Sequence, residues 1–518
     1  MKEIQIPIFK DKEIFDTYEK TKNRVVTVPN VDISEFNAYI EYFTEKSFVE
    51  CERYVKNGHS FAALSCESIG VFLNYFESIR ELTVVLEQDC KYFSYEDTRG
   101  SAAVKAQITQ IALEDFGMSY AIRLPDGRFI LIDGGREFEP DADKLYDRIK
   151  ADSPFDTPII AAWIMSHPHS DHYFCFIPFM EKYADSVKIE KFILNFPEVD
   201  DFVHYPKLER YPLDYMPRMY ELIEKTGAPL YTAHTGQIYR IGDAVCEMLS
   251  SMDNTIHLSS NINAISLVIK MELEGQTILW MTDASTSAAK LPERYGSYLK
   301  ADILQIPHHG FQCGTPEAEI EVYDLIKPKV CFLPAMDYNA YSFFCIHRAG
   351  TNHLMGLDCV EEIITGEVER PITLPYVAPT EAKREHESKA ILGLESCGAK
   401  VWIFSELSTG DPEDLVFTIL NTIVVKTDVW IELFFEDQTR VVRFIKAEIP
   451  SGSIRRICIV GDEVDGDARF YNPDSLKIKG VPEGVPFVAR FMSHTPIVVS
   501  NKNHAATYHS NTFGEGIK

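Results

Sequence analysis

Apolar and polar positions alternate in three different ways along the chain, and each predicts a different kind of element. In residues 1–103, Phe36, Tyr39, Ile40 and Phe43 recur at helical spacing behind Asp32 and Glu35, an N-cap with its N3 partner. Strand-like runs at Val49–Val55 and Phe61–Leu64 flank Asn57-Gly58, a strong hairpin signal, and two more runs follow at Val71–Tyr75 and Leu82–Leu86. This region reads as a small α+β domain with a packing or dimerisation role. The polar stretch from Tyr92 to Ala103, with Gly100 and Ser101, marks its boundary.

From residue 104 to 410 strands and helices alternate, the signature of an α/β domain. Strands are expected at Ile108–Leu113, Tyr120–Leu124, Phe129–Ile132, Ile159–Met165, Lys191–Asn195, Ala244–Leu249, Ile265–Met271, Thr277–Met281 and Ile303–Ile306, with a helix over Ala142–Ile149. A run of helical composition, Ala382–Leu394, leads into Val401–Phe404 and is expected to close this domain. Residues 411–518 are β-rich, with runs at Val416–Val425, Val429–Phe435, Arg440–Ile445, Arg455–Val460 and Phe487–Phe491 divided by Gly, Pro and Asp. They predict an all-β, sandwich-like C-terminal domain.

Composition narrows the function. With 518 residues, 45% hydrophobic and 12% aromatic, the chain is long enough for several well-filled cores. Its 51 basic and 78 acidic side chains leave a net charge of −27, which opposes a grip on long nucleic acid. Eleven scattered cysteines without CxxC pairs argue against a disulfide framework and for a reducing compartment. The N-terminal segment has no apolar signal region and no stretch is long enough to span a bilayer, so a cytoplasmic protein is expected.

The chemistry concentrates where predicted strands end. Ser166-His167-Pro168-His169-Ser170-Asp171-His172 follows the run Ile159–Met165, giving four metal-capable side chains within six positions. Two histidines two apart on a turn can share one metal, and the Asp-His pair after them can hold a second, as in a binuclear centre. Thr282-Asp283 follows another strand, and a carboxylate there can bridge two cations. Pro307-His308-His309-Gly310 follows a third; adjacent side chains diverge, so one histidine is expected to ligate and the other to face substrate or support a ligand. Asp133, in Leu131-Ile132-Asp133-Gly134-Gly135, either orients a ligating histidine from behind or makes a plain turn.

The pattern HxHxDH, with an upstream Asp-Gly-Gly and downstream strand-end Asp and His, resembles the metallo-β-lactamase fold superfamily. The details Asn263-x-x-Ser266-Leu267-Val268, Thr282-Asp283, Asp302-Ile303-Leu304 with His308-His309-Gly310, and Leu394-Glu395-Ser396-Cys397-Gly398-Ala399-Lys400-Val401 are more similar to its competence-protein branch, ComEC/Rec2. The resemblance covers roughly residues 106–405. It implies an αββα sandwich with two divalent metals, zinc first and manganese or iron as alternatives. His167 and His169 would hold one metal, Asp171 and His172 the other; Asp283 would bridge, and His308 or His309 would complete the second site. Many members add a third histidine to the first metal from the loop before Ile265. This chain has Asn263 and Ser266 there instead, with His257 in reserve and His234 behind it, which leaves the first site open or weaker.

The expected function is a metal-dependent hydrolase in which a metal-bound hydroxide attacks a phosphodiester or phosphate ester of a small molecule. Asp171 is the expected catalytic residue, orienting the hydroxide and passing a proton to the leaving group. Asn263, Ser266 and the spare histidine would bind substrate oxygens, while His347 and His353 either line the mouth or belong to a solvated loop. Carboxylic ester or lactone hydrolysis is the alternative, and a non-catalytic metal-binding scaffold the third reading. A flavo-diiron oxidoreductase lacks support, because neither a Glu in the ligand run nor a flavodoxin-like region is found. The expected partner is a small ester, with no membrane and no long nucleic acid; a homo-oligomer stays open.

Overall fold

The computed structural model describes Ile6, residues 15–19 and residues 23–510, leaving out 95, 115–116, 206–207, 257–260, 285–288, 313, 338–348, 356, 358, 381, 383–399, 409–414, 425–426, 436–442, 460–475, 479–484 and 494–496. The chain divides into two compact units, residues 1–336 with 363–378 and residues 337–362 with 379–518. The expected helix over 382–394 lies almost wholly outside the described residues, as do His257 and His347.

The first unit begins with a six-stranded sheet and one helix, Ile33–Glu45. The capping box is complete: Asp32 accepts from the Ser34 and Glu35 amides, and the Asp32 amide donates to Glu35 Oε2. Strands Val49–Lys56 and His59–Cys66 form the expected hairpin, with Asn57 (φ 45°) and Gly58 (φ 78°) supplying the left-handed pair that its turn requires. The sheet is apolar on both faces. Val26, Ala62, Leu64, Val71, Leu73 and Val84 pack on the helix. Their neighbours Val25, Phe61, Ala63, Phe72 and Val85 point the other way, into the core formed with later residues.

That second buried face explains why residues 1–103 do not stand apart as a domain. Covering each such large side chain contributes about 1.5–3 kcal/mol, and polar ties reinforce the contact. Tyr54 Oη donates to Gly236 O at 2.7 Å, Asn74 Nδ2 donates to Thr235 O at 2.9 Å, and Lys56 pairs with Glu247 at 2.8 Å.

The rest of the first unit is α/β. An eight-stranded mixed sheet holds Leu230–Thr232, Phe192–Leu194, Ile159–Met165 and Phe129–Asp133 side by side and parallel, then continues antiparallel through Ser119–Arg123 and Gln107–Gln110. A seven-stranded sheet runs from Ile238–Ile241 through Ala244–Ser250, Val268–Leu273, Gln276–Trp280, Ile303–Gln305 and Val330–Leu333 to Glu362–Thr365. Ile269, Met271, Ile278, Trp280, Ile303 and Phe332 of the second sheet share one core with Ile108, Tyr120, Ile122 and Leu131 of the first. Tyr120 meets Trp280 edge-on at 4.8 Å. The intervening Val268, Leu279, Leu304 and Cys331 are also buried, so the second sheet is covered on both faces. Helices Glu139–Asp152, Phe176–Tyr183 and Met216–Thr226 bury Leu145, Ile149, Phe179, Met219 and Leu222 in the same core. This is a two-sheet sandwich with helices: the alternating pattern implied an α/β domain, and the sandwich is what the resemblance implied.

The second unit is a β-sandwich of five and four strands, with Phe404, Phe417, Ile431, Ile457 and Phe491 among its core residues. Strand Lys400–Ser408, expected to close the α/β domain, instead pairs antiparallel with Pro486–Ser493 and Thr507–Ser510. Its Trp402, Phe404 and Leu407 supply the side chains that the sandwich core needs. No helix among the described residues is long and apolar enough to cross a membrane.

Candidate metal centre

Parallel pairing sets the chemical residues at one level. Strand Ile159–Met165 runs beside Phe129–Asp133 with Ile164 opposite Ile132, which brings Ser166 to Asp133. Across the sandwich, Gln276–Trp280 runs beside Ile303–Gln305 with Trp280 opposite Gln305, which brings Thr282-Asp283 to Pro307-His308-His309. Four of these residues sit in the left-handed region: Asp133 (φ 57°), Thr282 (φ 50°), His308 (φ 52°) and His309 (φ 52°). The conformation is costly for a β-branched threonine. Hydrogen bonds hold it, since Thr282 N donates to Gln305 Oε1 at 2.5 Å and Thr282 Oγ1 donates to Leu267 O at 2.6 Å. His308 N donates to Thr282 O at 2.9 Å, joining the two loops.

Two groups result, His167, His169 and Asp283, and Asp171, His172 and His309. Within each, one ligand atom per residue lies within 4.8 Å of the others. Asp283 Oδ2 stands between them, 3.2 Å from His172 Nε2 and 3.8 Å from both His167 Nε2 and His309 Nε2. Asp171 Oδ2 is 3.3 Å from His309 Nε2. The far side of each ring is already engaged. His172 Nδ1 donates to Asp133 Oδ2 at 2.8 Å, and His309 Nδ1 donates to Pro334 O at 2.9 Å. Ser166 Oγ donates to Asp133 Oδ2, so His167 Nδ1 is the donor in its 3.0 Å contact with that hydroxyl. Every one of these three rings therefore presents Nε2 to the carboxylates.

Such an arrangement fits a divalent cation. His172 Nε2 and Asp283 Oδ1 are buried with no hydrogen-bond partner among the described residues, an expensive condition unless a cation is to be shared. Burial keeps His167 neutral, pushing its pKa well below the ordinary imidazole value, with His172 and His169 adding to the effect. Burial also opposes charge on His172, but Asp283 and Asp133 outweigh it and hold its pKa well above the ordinary value. His309 is raised for the same reason, with Asp283 and Asp171 overcoming burial. Burial would raise the pKa of Asp283, yet His172 and His309 hold it well below the usual carboxylate range; His309 and His172 do the same for Asp171. A divalent cation would compete with protons for the same imidazole nitrogens.

The glycines of Asp133-Gly134-Gly135 serve this geometry. Their two amides both donate to His172 O, at 2.6 and 3.0 Å, and Gly135 has φ 92° with Leu113 Cδ1 only 2.8 Å from where a Cβ would stand. A side chain at Gly135 would therefore press on Leu113 and strain the left-handed turn whose amides bind His172 O.

Not every expected site residue belongs to a ligand group. His308 is not in either ligand group; its Nε2 contacts Asn263 Nδ2 at 2.9 Å. Asn263 Oδ1 lies 3.2 Å from His167 Nε2, so Asn263 does reach the site. Ser266, expected on the substrate, is 1% exposed. Its amide donates to Asn263 O at 3.2 Å, closing the turn that carries Asn263. His353 lies on helix Ala349–Met355 of the second unit. Three residues that the sequence reading passed over also border the site. Ser166 links Asp133 to His167; Glu209 Oε2 is 4.0 Å from His169 Nε2 and accepts from Ile262 N at 2.9 Å; the Tyr211 ring stacks on His169 at 6.0 Å. Ser166 adjoins the motif and was within reach of sequence reasoning. Glu209 and Tyr211 lie about forty residues on in an unpatterned loop, with no local signal.

His234, the weaker reserve for the first metal, is engaged in a separate buried cluster. Its Nδ1 donates to Asp253 Oδ2 at 2.5 Å and its Nε2 is 3.4 Å from Glu87 Oε2. Burial disfavours its charge, but Asp253 and Glu87 prevail and push its pKa up to about 10. Because this lies above the unfolded value of about 6.5, the stabilisation is fully present below about pH 6.5 and is lost as pH rises through about 10. The denaturation midpoint should therefore fall more steeply between pH 7 and 10 in the wild type than in His234→Gln. Parallel slopes for the two proteins would count against a charged His234.

No family model matches the chain, and no curated protein does. Among solved structures it is similar to a protein from Parabacteroides distasonis described as a metal-dependent hydrolase, at 10% identity over 62% of this chain and 99% of that one, with a TM-score of 0.28. The short form of human tRNase Z is similar at 11% identity over 43% of this chain and 91% of that one, with a TM-score of 0.28. A metallo-β-lactamase from Hirschia baltica is similar at 11% identity over 54% and 98%, with a TM-score of 0.22. Likenesses at these scores carry no argument about family. The α/β sandwich rests on its own strand order and shared core, and the candidate centre on the six side chains that converge at one edge.

Proposed function

We propose that the chain is a binuclear metal-dependent hydrolase acting on a small ester, a phosphodiester before a phosphate monoester. The observation that carries this is the position of Asp283 between two ligand groups, with imidazole Nε2 atoms turned to it from both sides. His167, His169 and Asp283 would hold one divalent metal, and Asp171, His172, His309 and Asp283 the other; zinc fits this donor set, with manganese or iron as alternatives. Bound there, the metals would supply Lewis acidity and bring the pKa of a water from about 15.7 towards about 7.

The chain's own residues do the rest. Asp171, held ionised beside His309, accepts a proton from the attacking water and returns it to the leaving group. Asp133 and Ser166 fix the tautomers of His172 and His167. Glu209 stands half-exposed beside His169, where its carboxylate repels a second negative charge; this favours a singly charged diester over a dianionic monoester. The same carboxylate tolerates a neutral carboxylic ester or lactone, the second reading.

The experiment is a panel of bis(p-nitrophenyl) phosphate, p-nitrophenyl phosphate and p-nitrophenyl acetate, each assayed before chelation, after chelation, and after return of zinc or manganese. Diester turnover that disappears with chelator and returns with metal is expected. Loss of metal without loss of turnover, or full metal loading with no turnover on any ester, would refute the hydrolase. The second outcome would favour a metal-binding scaffold.

A further inference from the structure

The first ligand group offers two histidines where a third nitrogen ligand would ordinarily complete a tetrahedral site. The hydrogen-bond directions around Asn263 say what stands in its place. His308 Nδ1 faces Gln312 O at 3.3 Å, a contact in which only the ring N–H can donate. In the neutral ring His308 Nε2 is then an acceptor, and the Asn263 group 2.9 Å from it must be the amide NH₂. That places the amide oxygen on the opposite side, 3.2 Å from His167 Nε2. His167 Nδ1 is already the donor to Ser166 Oγ, so its Nε2 is also an acceptor. Two lone-pair atoms facing each other at 3.2 Å gain nothing from one another. They are, however, close to the separation of about 3.4 Å expected between two ligand atoms around a tetrahedral metal with bonds near 2.1 Å.

We propose that Asn263 Oδ1 is the third protein ligand of the first metal, and that His308 is the positioning residue that turns the amide so that its oxygen, not its nitrogen, faces the ion. This rests on the metal reading above and adds to it. It also gives the His308-His309 pair two separate tasks. The left-handed backbone at both residues sends one ring into the second ligand group and the other to Asn263. An amide oxygen is a harder and weaker ligand than imidazole, so the first site should favour zinc less strongly than the second.

The test is metal binding by the full chain, measured by equilibrium dialysis with zinc and by the absorption spectrum of the cobalt(II) form. The wild type should take up two ions with distinct affinities. Asn263→Ala and His308→Ala should each weaken the first ion about ten-fold or more and leave the second unchanged. His308→Gln, whose side-chain oxygen still accepts from Asn263 Nδ2, should restore much of the loss. Asn263→Asp should tighten the first ion. The proposal is overturned if Asn263→Ala binds both ions as the wild type does, or if Glu209→Ala or His257→Ala removes the first ion while Asn263→Ala does not. His308→Ala with normal binding beside a weakened Asn263→Ala would overturn the positioning role. A wild-type chain that binds no metal would remove the underlying metal reading itself, a result distinct from a failure of Asn263 alone.

Discussion

Asp283→Ala is expected to lower kcat/KM on the best substrate by about 10³-fold or more and to leave less than one metal per chain. Asp283 is 1% exposed, belongs to the first ligand group, and its Oδ2 also lies 3.2 Å from His172 Nε2 and 3.8 Å from His309 Nε2 of the second. Its removal would strand three imidazoles around a centre that then lacks the charge to neutralise two cations. Local backbone geometry should survive, because the loop is held from Thr282 through Gln305 and Leu267 rather than through the Asp283 side chain. Metal content, turnover and a denaturation curve on the same preparation separate the possibilities. A folded Asp283→Ala protein that keeps its full metal complement and near-normal turnover would end the bridging role.

Arg128→Met should cost about 3–5 kcal/mol of stability, the largest single-residue loss expected outside the apolar cores. Arg128 is 1% exposed, and its guanidinium donates to Asp126 Oδ2 from Nε at 2.9 Å and from Nη2 at 2.7 Å. It also donates to Glu190 at 2.7 Å and Asp97 at 3.1 Å. Burial opposes its charge, but Asp126 and Glu190 overcome it and raise its pKa. Removing the cation leaves those carboxylates together with little access to water. The same cluster ties the segment after the N-terminal sheet to the α/β region, since Asp97 also accepts from Gly242 N and Asp126 accepts from Gly100 N. Urea denaturation reads the effect, and a loss under about 1 kcal/mol would show the cluster to be solvated and weak.

Much of the local structure was legible because its causes are local. The strand Ile159–Met165 was bounded correctly by a purely apolar run against a polar motif. Helix Ile33–Glu45 followed from an Asp-x-x-Glu box and a 3.6-residue repeat. The donor types of the centre were equally visible, since four of its six ligand candidates fall within six positions and the others follow strand ends. Strand Val330–Leu333 and helix Met216–Thr226 were passed over; a four-residue apolar run is ambiguous, and that helix begins without a side-chain cap.

The amino-acid sequence by itself determined the donor chemistry, the elements that deliver it and the strand-end placement, because each depends on residues a few positions apart. Only the tertiary structure decided that His309 joins the ligand group while His308 turns to Asn263. It alone turned the inner face of the N-terminal sheet into part of the main core, gave Lys400–Ser408 to the second sandwich, and brought Glu209 to His169. The physical reason is the same in every case. These outcomes depend on which buried face or unpaired acceptor meets which partner far away in the sequence, or, for the histidine pair and Glu209, on a contact made across the site. Neither hydropathy period nor motif spacing carries that information.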